Sequence, residues 1–135
     1  MFFKKKSKNN DDFVNICALL IHAAKIDENY SKEEQEIIKK TLLIIGVEKD
    51  NLSDTIARGE IIEKDSNQIL NFTKKVKNMI ETDKIKIIEA LWQIIYSNKD
   101  ADIYETNLMR RLAGLLYIDN KTMGDIKERV RKKNS

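Results

Sequence analysis

Two pairs of polar residues three positions apart, Ser31 with Glu34 and Asp102 with Glu105, are the clearest places where residue type and spacing specify chemistry. At the start of a helix such a pair forms a capping box. The first side chain accepts a hydrogen bond from the amide three residues on, and the glutamate reaches back to the amide of the first. Among the remaining reactive residue types, His22 is the one histidine and Cys17 the one cysteine. Without a further Cys or His there is no zinc set, and one His at helical spacing does not argue for a Ser-His-Asp or Cys-His arrangement. His22 therefore reads as a packing or surface residue. Cys17 lies in an apolar run and reads as a small buried hydrophobe that suits a reducing compartment. Trp92 falls in an apolar stripe and reads as a core anchor. No glycine-rich phosphate loop occurs.

The elements that must position these residues are helices. A chain of 135 residues with no proline and four glycines has little of the turn chemistry that a β-sandwich requires. Helical spacing predicts a first helix capped by Asp11 or Asp12 and running to Lys25. Phe13, Ile16, Cys17, Leu20, Ile21 and Ala24 share one face of it. A turn over residues 26–30 leads to the Ser31 capping box and a second helix ending at Ile45, with Gly46 as its stop. A third helix over residues 51–63 is interrupted by Gly59. A fourth follows Asp65 and Ser66, with Ile69, Phe72, Val76 and Ile80 in phase. A fifth, capped by Thr82 or Asp83, carries Leu91 and Trp92. The Asp102 box opens a sixth, and Asp119 begins a seventh over residues 120–131. The expected fold is all-α: about seven short helices in one domain over residues 11–131, between a basic tail, 1–10, and a short basic end, 132–135.

The sequence repeats at a shift of 71 residues. Leu20 then falls on Leu91, Asp27 on Asn98, Ser31 on Asp102, Glu34 on Glu105, Ile37 on Leu108, Ile38 on Met109 and Thr41 on Leu112. Identity is low, but turn, cap and apolar phase coincide, which implies two similar units of helix, acidic turn and helix.

The stretch Ala24-Lys25-Ile26-Asp27-Glu28-Asn29-Tyr30-Ser31-Lys32-Glu33-Glu34 resembles the acidic turn of TerB-like domains. Glu89-Ala90-Leu91-Trp92, followed by Tyr96-Ser97-Asn98-Lys99-Asp100-Ala101-Asp102-Ile103-Tyr104-Glu105, is similar to that family's second turn. The resemblance covers residues 11–130. It implies a compact TerB-like bundle, shared with tellurite-resistance proteins and the N-terminal region of a membrane-anchored J-domain co-chaperone, and a link to stress response. The J-domain's own His-Pro-Asp motif is absent from a chain without proline. Some family members carry a metal at the acidic turns. Position by position, this makes Asp27, Glu34, Asp102 and Glu105 the metal ligands the resemblance implies, for Ca²⁺ or Mg²⁺, since hard cations take oxygen ligands. The chain departs from the family pattern at Asn98, where an aspartate is expected, and at Glu28 and Lys99, where glycines are. Caps alone, and caps that also hold an ion, are both open readings of these carboxylates.

Charge is unevenly placed. Residues 1–10 carry four lysines and no acid, and residues 127–133 a net +4, so the intervening body is acidic although the whole chain is +3. The run Phe2-Phe3-Lys4-Lys5-Lys6 joins two aromatics to three cations, a combination that suits an anionic membrane surface or simply a solvated tail. The basic residues at the end lack the aromatic interleaving of single-strand binders, and a cationic helix C-terminus explains them without nucleic acid. No apolar run approaches the ~20 residues that span a bilayer, and the N-terminus lacks the apolar core of a secretory signal. The expectation is a cytoplasmic, non-enzymatic protein-interaction module, peripheral to the inner face of the membrane through Phe2, Phe3, Lys4, Lys5 and Lys6. The alternative is a divalent-cation-binding domain using the acidic turns.

Overall fold

The computed structural model describes residues 10–26, 30–65, 69–97 and 103–133. Seven α-helices and no strand occur among them: α1 (Asn10–Ala24), α2 (Lys32–Ile45), α3 (Leu52–Asp65), α4 (Ile69–Val76), α5 (Glu81–Tyr96), α6 (Ile103–Leu115) and α7 (Asn120–Lys133). A single 3-10 turn, Lys49–Asn51, leads into α3. The basic tail, residues 1–9 of it, lies outside the described residues.

The centre of the molecule is α1. Residues 13–21 contain no charged side chain, and Ile16 through Ile21 are entirely shielded from solvent. The sequence pattern assigns α1 one apolar face, yet Val14, Ala18, Leu19 and Ala23 on its other faces are buried as well. A helix that is apolar all round belongs inside a core. Here α3 and α4 pack most extensively against α1, with α5 and α2 completing the enclosure. Asp11 and Asp12 do not cap the helix from outside. It has already begun at Asn10, and they occupy its first turn, where acidic residues complement the helix dipole.

Gly59, a helix breaker by composition, has a packing reason. A Cβ placed on it would lie 2.9 Å from Cys17 Sγ and 3.1 Å from Cys17 Cβ. The missing side chain therefore lets α3 seat directly on α1. Cys17 is buried there, and burial, aided by the charge of Glu60, pushes its thiol up to about 12. The thiol stays protonated, and Cys17 behaves as the expected small hydrophobe.

The repeat extends beyond the two hairpins. At the same shift of 71, α1 falls on α5, α2 on α6, and the buried Thr55 and Gly59 of α3 on the buried Ile126 and Val130 of α7. Each unit thus has three helices, with α4 between the units. The helix ends repeat too. The amide of Val47 donates to Leu42 O at 2.9 Å after α2, and that of Ile118 to Ala113 O at 2.9 Å after α6. These bonds satisfy carbonyls that the helix leaves unpaired. Gly46 turns the first corner at φ 124°, and Tyr117 turns the second at φ 58°.

Two other expectations shift. Helix α4 ends at Val76, so Ile80 is not on its apolar face. Instead the carbonyl of Ile80 receives the amides of Asp83 and Lys84 and starts α5, leaving its side chain exposed. Thr82 and Asp83 consequently lie inside the first turn of α5 and do not cap it. Asp119 does cap α7, accepting from Thr122 N at 2.7 Å. That backbone hydrogen bond holds its carboxyl below the usual range.

Two predictions follow from the packing and the cap. Gly59→Ala should lower unfolding free energy by about 1–3 kcal/mol despite alanine's helix preference of about 1 kcal/mol, because a filled interface costs more than propensity returns. Urea titration measures this, and pairing it with Cys17→Ala should recover part of the loss. Asp119→Ala should lower stability at neutral pH and flatten the acid limb of the stability curve. A depressed carboxyl stabilises above its unfolded pKa, about 3.9, and that contribution disappears as pH falls through the lower folded value, so the two proteins should converge in acid.

Candidate functional site

The first acidic turn joins α1 to α2. Asp27, Glu28 and Asn29 lie outside the described residues, but both sides of the turn are defined. The Ser31 box forms in full: Glu34 N donates to Ser31 Oγ at 3.1 Å, and Ser31 N donates to Glu34 Oε1 at 2.7 Å. Glu34 is 1 % exposed. A carboxylate buried this deeply needs partners, and the Ser31 amide is one of them.

Around this cap the structure gathers residues that lie far apart in sequence. Glu63 of α3 is approached by His22 Nδ1 of α1 at 3.4 Å and by Nζ of Lys25, just past the end of α1, at 3.3 Å. Lys25 also stands 6.0 Å from the centre of the Tyr30 ring. The Tyr30 hydroxyl is pushed well above its ordinary range, first by burial and then by the negative charge of Glu60, Glu34 and Glu63. The site is therefore a polar knot in which carboxylates of α2 and α3 act on Tyr30, and His22 of α1 and the adjacent Lys25 meet one of them, Glu63. Its chemistry is electrostatic bracing: Glu63, one helical turn beyond Gly59, ties α3 to the C-terminal end of α1. His22, expected as a packing or surface residue, is half-buried, with a polar partner in Glu63 and its ring 6.2 Å from that of Phe72. The spacing of Glu60 and Glu63 along α3 gave no sign of this site, because their relation to residues 22–34 is made only by folding.

The helices flanking the second turn follow the same plan with different charge. Asn98, Lys99 and Asp102 lie outside the described residues, so the Asp102 half of its box is not described. Glu105 stands in the first turn of α6 at 3 % exposure, the counterpart of Glu34 in both position and burial. The residue equivalent to Glu60 is Arg131, which pairs with Glu128. Where the first unit has a carboxylate at this position of its third helix, the second has a guanidinium. Trp92 is 2 % exposed, as a core anchor should be, and stacks on Tyr96 with ring centres 5.8 Å apart. Lys127 caps the Trp92 face at 5.4 Å. The indole Nε1 has no hydrogen-bond partner among the described residues.

Of the four ligands implied by the family resemblance, Glu34 and Glu105 are thus buried at equivalent points, while Asp27 and Asp102 lie outside the described residues. No group of three or more His, Cys, Asp or Glu side chains arranged to hold a metal occurs among the described residues. No described helix is long and apolar enough to cross a membrane.

The capping geometry makes a direct prediction. Ser31→Ala should cost about 1 kcal/mol of stability, the usual worth of such a cap. Thermal melts with and without millimolar Ca²⁺ or Mg²⁺ separate cap from ligand: a cap alone gives the same loss in both, whereas an ion held at the turn would raise the melting temperature by linkage.

Comparison with known proteins gives one match. The family model described as tellurite resistance protein TerB matches residues 13–128. Neither a curated protein nor a solved structure matches the chain.

Proposed function

The chain belongs to the TerB family, and from that premise we propose that it is a non-enzymatic helical module that binds a protein partner at the cytoplasmic face of a membrane, in a stress-response setting. The observation that carries this reading is the set of large aliphatic side chains left in solvent on the first unit. Leu43 and Ile44 of α2 are 41 % and 55 % exposed, and Ile61 of α3 is 60 % exposed. A single exposed leucine needs no explanation, but three large aliphatics on adjoining elements mark a surface suited to contact. The stress-response setting comes from the family's description, and the membrane setting from the aromatic–lysine run at residues 2–6.

A second reading keeps the acidic turns as a Ca²⁺ or Mg²⁺ site. It is favoured by the burial of Glu34 and Glu105 at equivalent points of the two units. The charge change from Glu60 to Arg131 then makes the first turn the better cation host, since a guanidinium opposes a bound cation.

Site-directed photo-crosslinking of the full chain in its native host tests the interaction reading. Ile44→benzoylphenylalanine and Ile61→benzoylphenylalanine should each give a discrete protein adduct, and Lys121→benzoylphenylalanine on α7 should not. Identical patterns at all three positions, or none at 44 and 61, would contradict a partner surface on α2 and α3.

A further inference from the structure

The two units end their second helices with the same hydrogen bonds but different corner residues. In the first unit the corner is Gly46, which takes a positive φ without steric penalty. In the second it is Tyr117, a bulky aromatic held at φ 58°, where side chains other than glycine, asparagine and aspartate are rare. Burial does not compensate this residue, because Tyr117 is 75 % exposed, the most exposed large apolar side chain among the described residues. A backbone conformation that disfavours its own side chain, with that side chain pointing into solvent, calls for a use outside the fold.

The surroundings of Tyr117 define an end of the molecule. Lys84, a buried lysine of α5, donates from Nζ to Leu116 O at 2.9 Å and fixes the end of α6 against the start of α5. Lys77, just past α4, holds its ammonium 5.9 Å from the Tyr117 ring centre. Ile80, between Lys77 and Lys84 in the chain, is 67 % exposed. The ends of α4 and α6 and the beginning of α5 thus meet in one corner that presents an aromatic and an aliphatic side chain to solvent.

Charge indicates what this corner faces. Residues 10–65 hold 13 acidic and 7 basic residues, a net −6, whereas residues 66–133 hold 9 acidic and 14 basic, a net +5. The stretch 66–80 has three lysines, Lys74, Lys75 and Lys77, and no acid. Of the acids beside these residues in the chain, Asp119 caps α7, Glu81 lies 4.0 Å from Lys84, and Asp83 stands in the first turn of α5. The apolar corner therefore lies in the net-cationic stretch of the chain, beside its acid-free run 66–80.

We propose that this corner, Tyr117 and Ile80 flanked by Lys74 and Lys77, docks the folded domain onto an anionic lipid surface. Tyrosine suits the headgroup level, where its ring is apolar and its hydroxyl wet, and Ile80 enters beside it. The lysines supply attraction to acidic headgroups. The acidic first unit, with Leu43, Ile44 and Ile61, is left for a partner. The inference rests on the membrane-surface part of the proposed function and needs neither residues 2–6 nor a protein partner.

The test is co-sedimentation of the full chain with phosphatidylglycerol–phosphatidylcholine vesicles and with phosphatidylcholine alone. Wild type should bind the anionic vesicles and not the neutral ones. Tyr117→Gly should melt at the same temperature or higher while binding several-fold more weakly, and Ile80→Asn should weaken binding without loss of fold. Lys74→Gln and Lys77→Gln should each weaken it about fivefold. Binding of Tyr117→Gly and Ile80→Asn at the wild-type level overturns the proposal, as does equal binding to neutral vesicles. Loss of binding confined to Lys4→Gln, Lys5→Gln and Lys6→Gln overturns it too while sparing the earlier reading. Failure of wild type to bind either vesicle overturns it in favour of a protein partner at this corner.

Discussion

Everything in this fold depends on hiding one helix almost completely. Between Phe13 and Ile21 helix α1 carries one polar side chain, the half-buried Asn15, so its neighbours must cover it on nearly every side. Coverage that close requires small residues where backbones approach, and Ala18, Ala23, Ala24 and Gly59 supply them. The Gly59 contact with Cys17 sets how near α3 can come. The knot of His22, Lys25 and Glu63 ties the same two helices at the turn end. Apolar contact and polar bracing thus act on one pair of elements, and the first acidic turn is positioned by both.

The duplicated architecture has diverged in ways that bear on function. Both units keep three helices, a buried first-turn glutamate and the same hydrogen bonds at the end of the second helix. What differs is charge and corner chemistry. Glu60 has become Arg131, Gly46 has become Tyr117, and Gly59 has become Val130. The conserved features are those that a helix terminus or a core demands, and the exchanged ones lie mostly where solvent or another surface is met. Such a pattern fits two faces with separate roles better than one symmetric site used twice.

Much of this was legible in the sequence, and the misses have identifiable causes. The Ser31 and Asp119 caps were readable because capping is local: residue type and spacing fix it. The repeat at 71 residues was readable for the same reason, since each turn carries its own cap. Helix α3 was harder to recognise, because Gly59 argues against a helix until the helix it packs on is known. Ile80 matched the apolar phase of α4, but the chain turns at Lys77, and periodicity alone cannot say where a helix stops. The His22–Glu63 contact joins residues 41 apart and has no local signal. The family resemblance located the acidic turns, whereas the difference in charge between them emerged only when α3 and α7 were superposed as equivalent elements.

Native-state hydrogen exchange, followed residue by residue as denaturant is added, tests most directly whether an enclosed α1 organises both units. Amides of Ile16 through Ile21 should exchange only by global unfolding, with the same free energy and denaturant dependence as those of Ile87 through Ile95 in α5. Exchange of the α1 amides through a smaller opening, while α5 remains protected, would contradict that account.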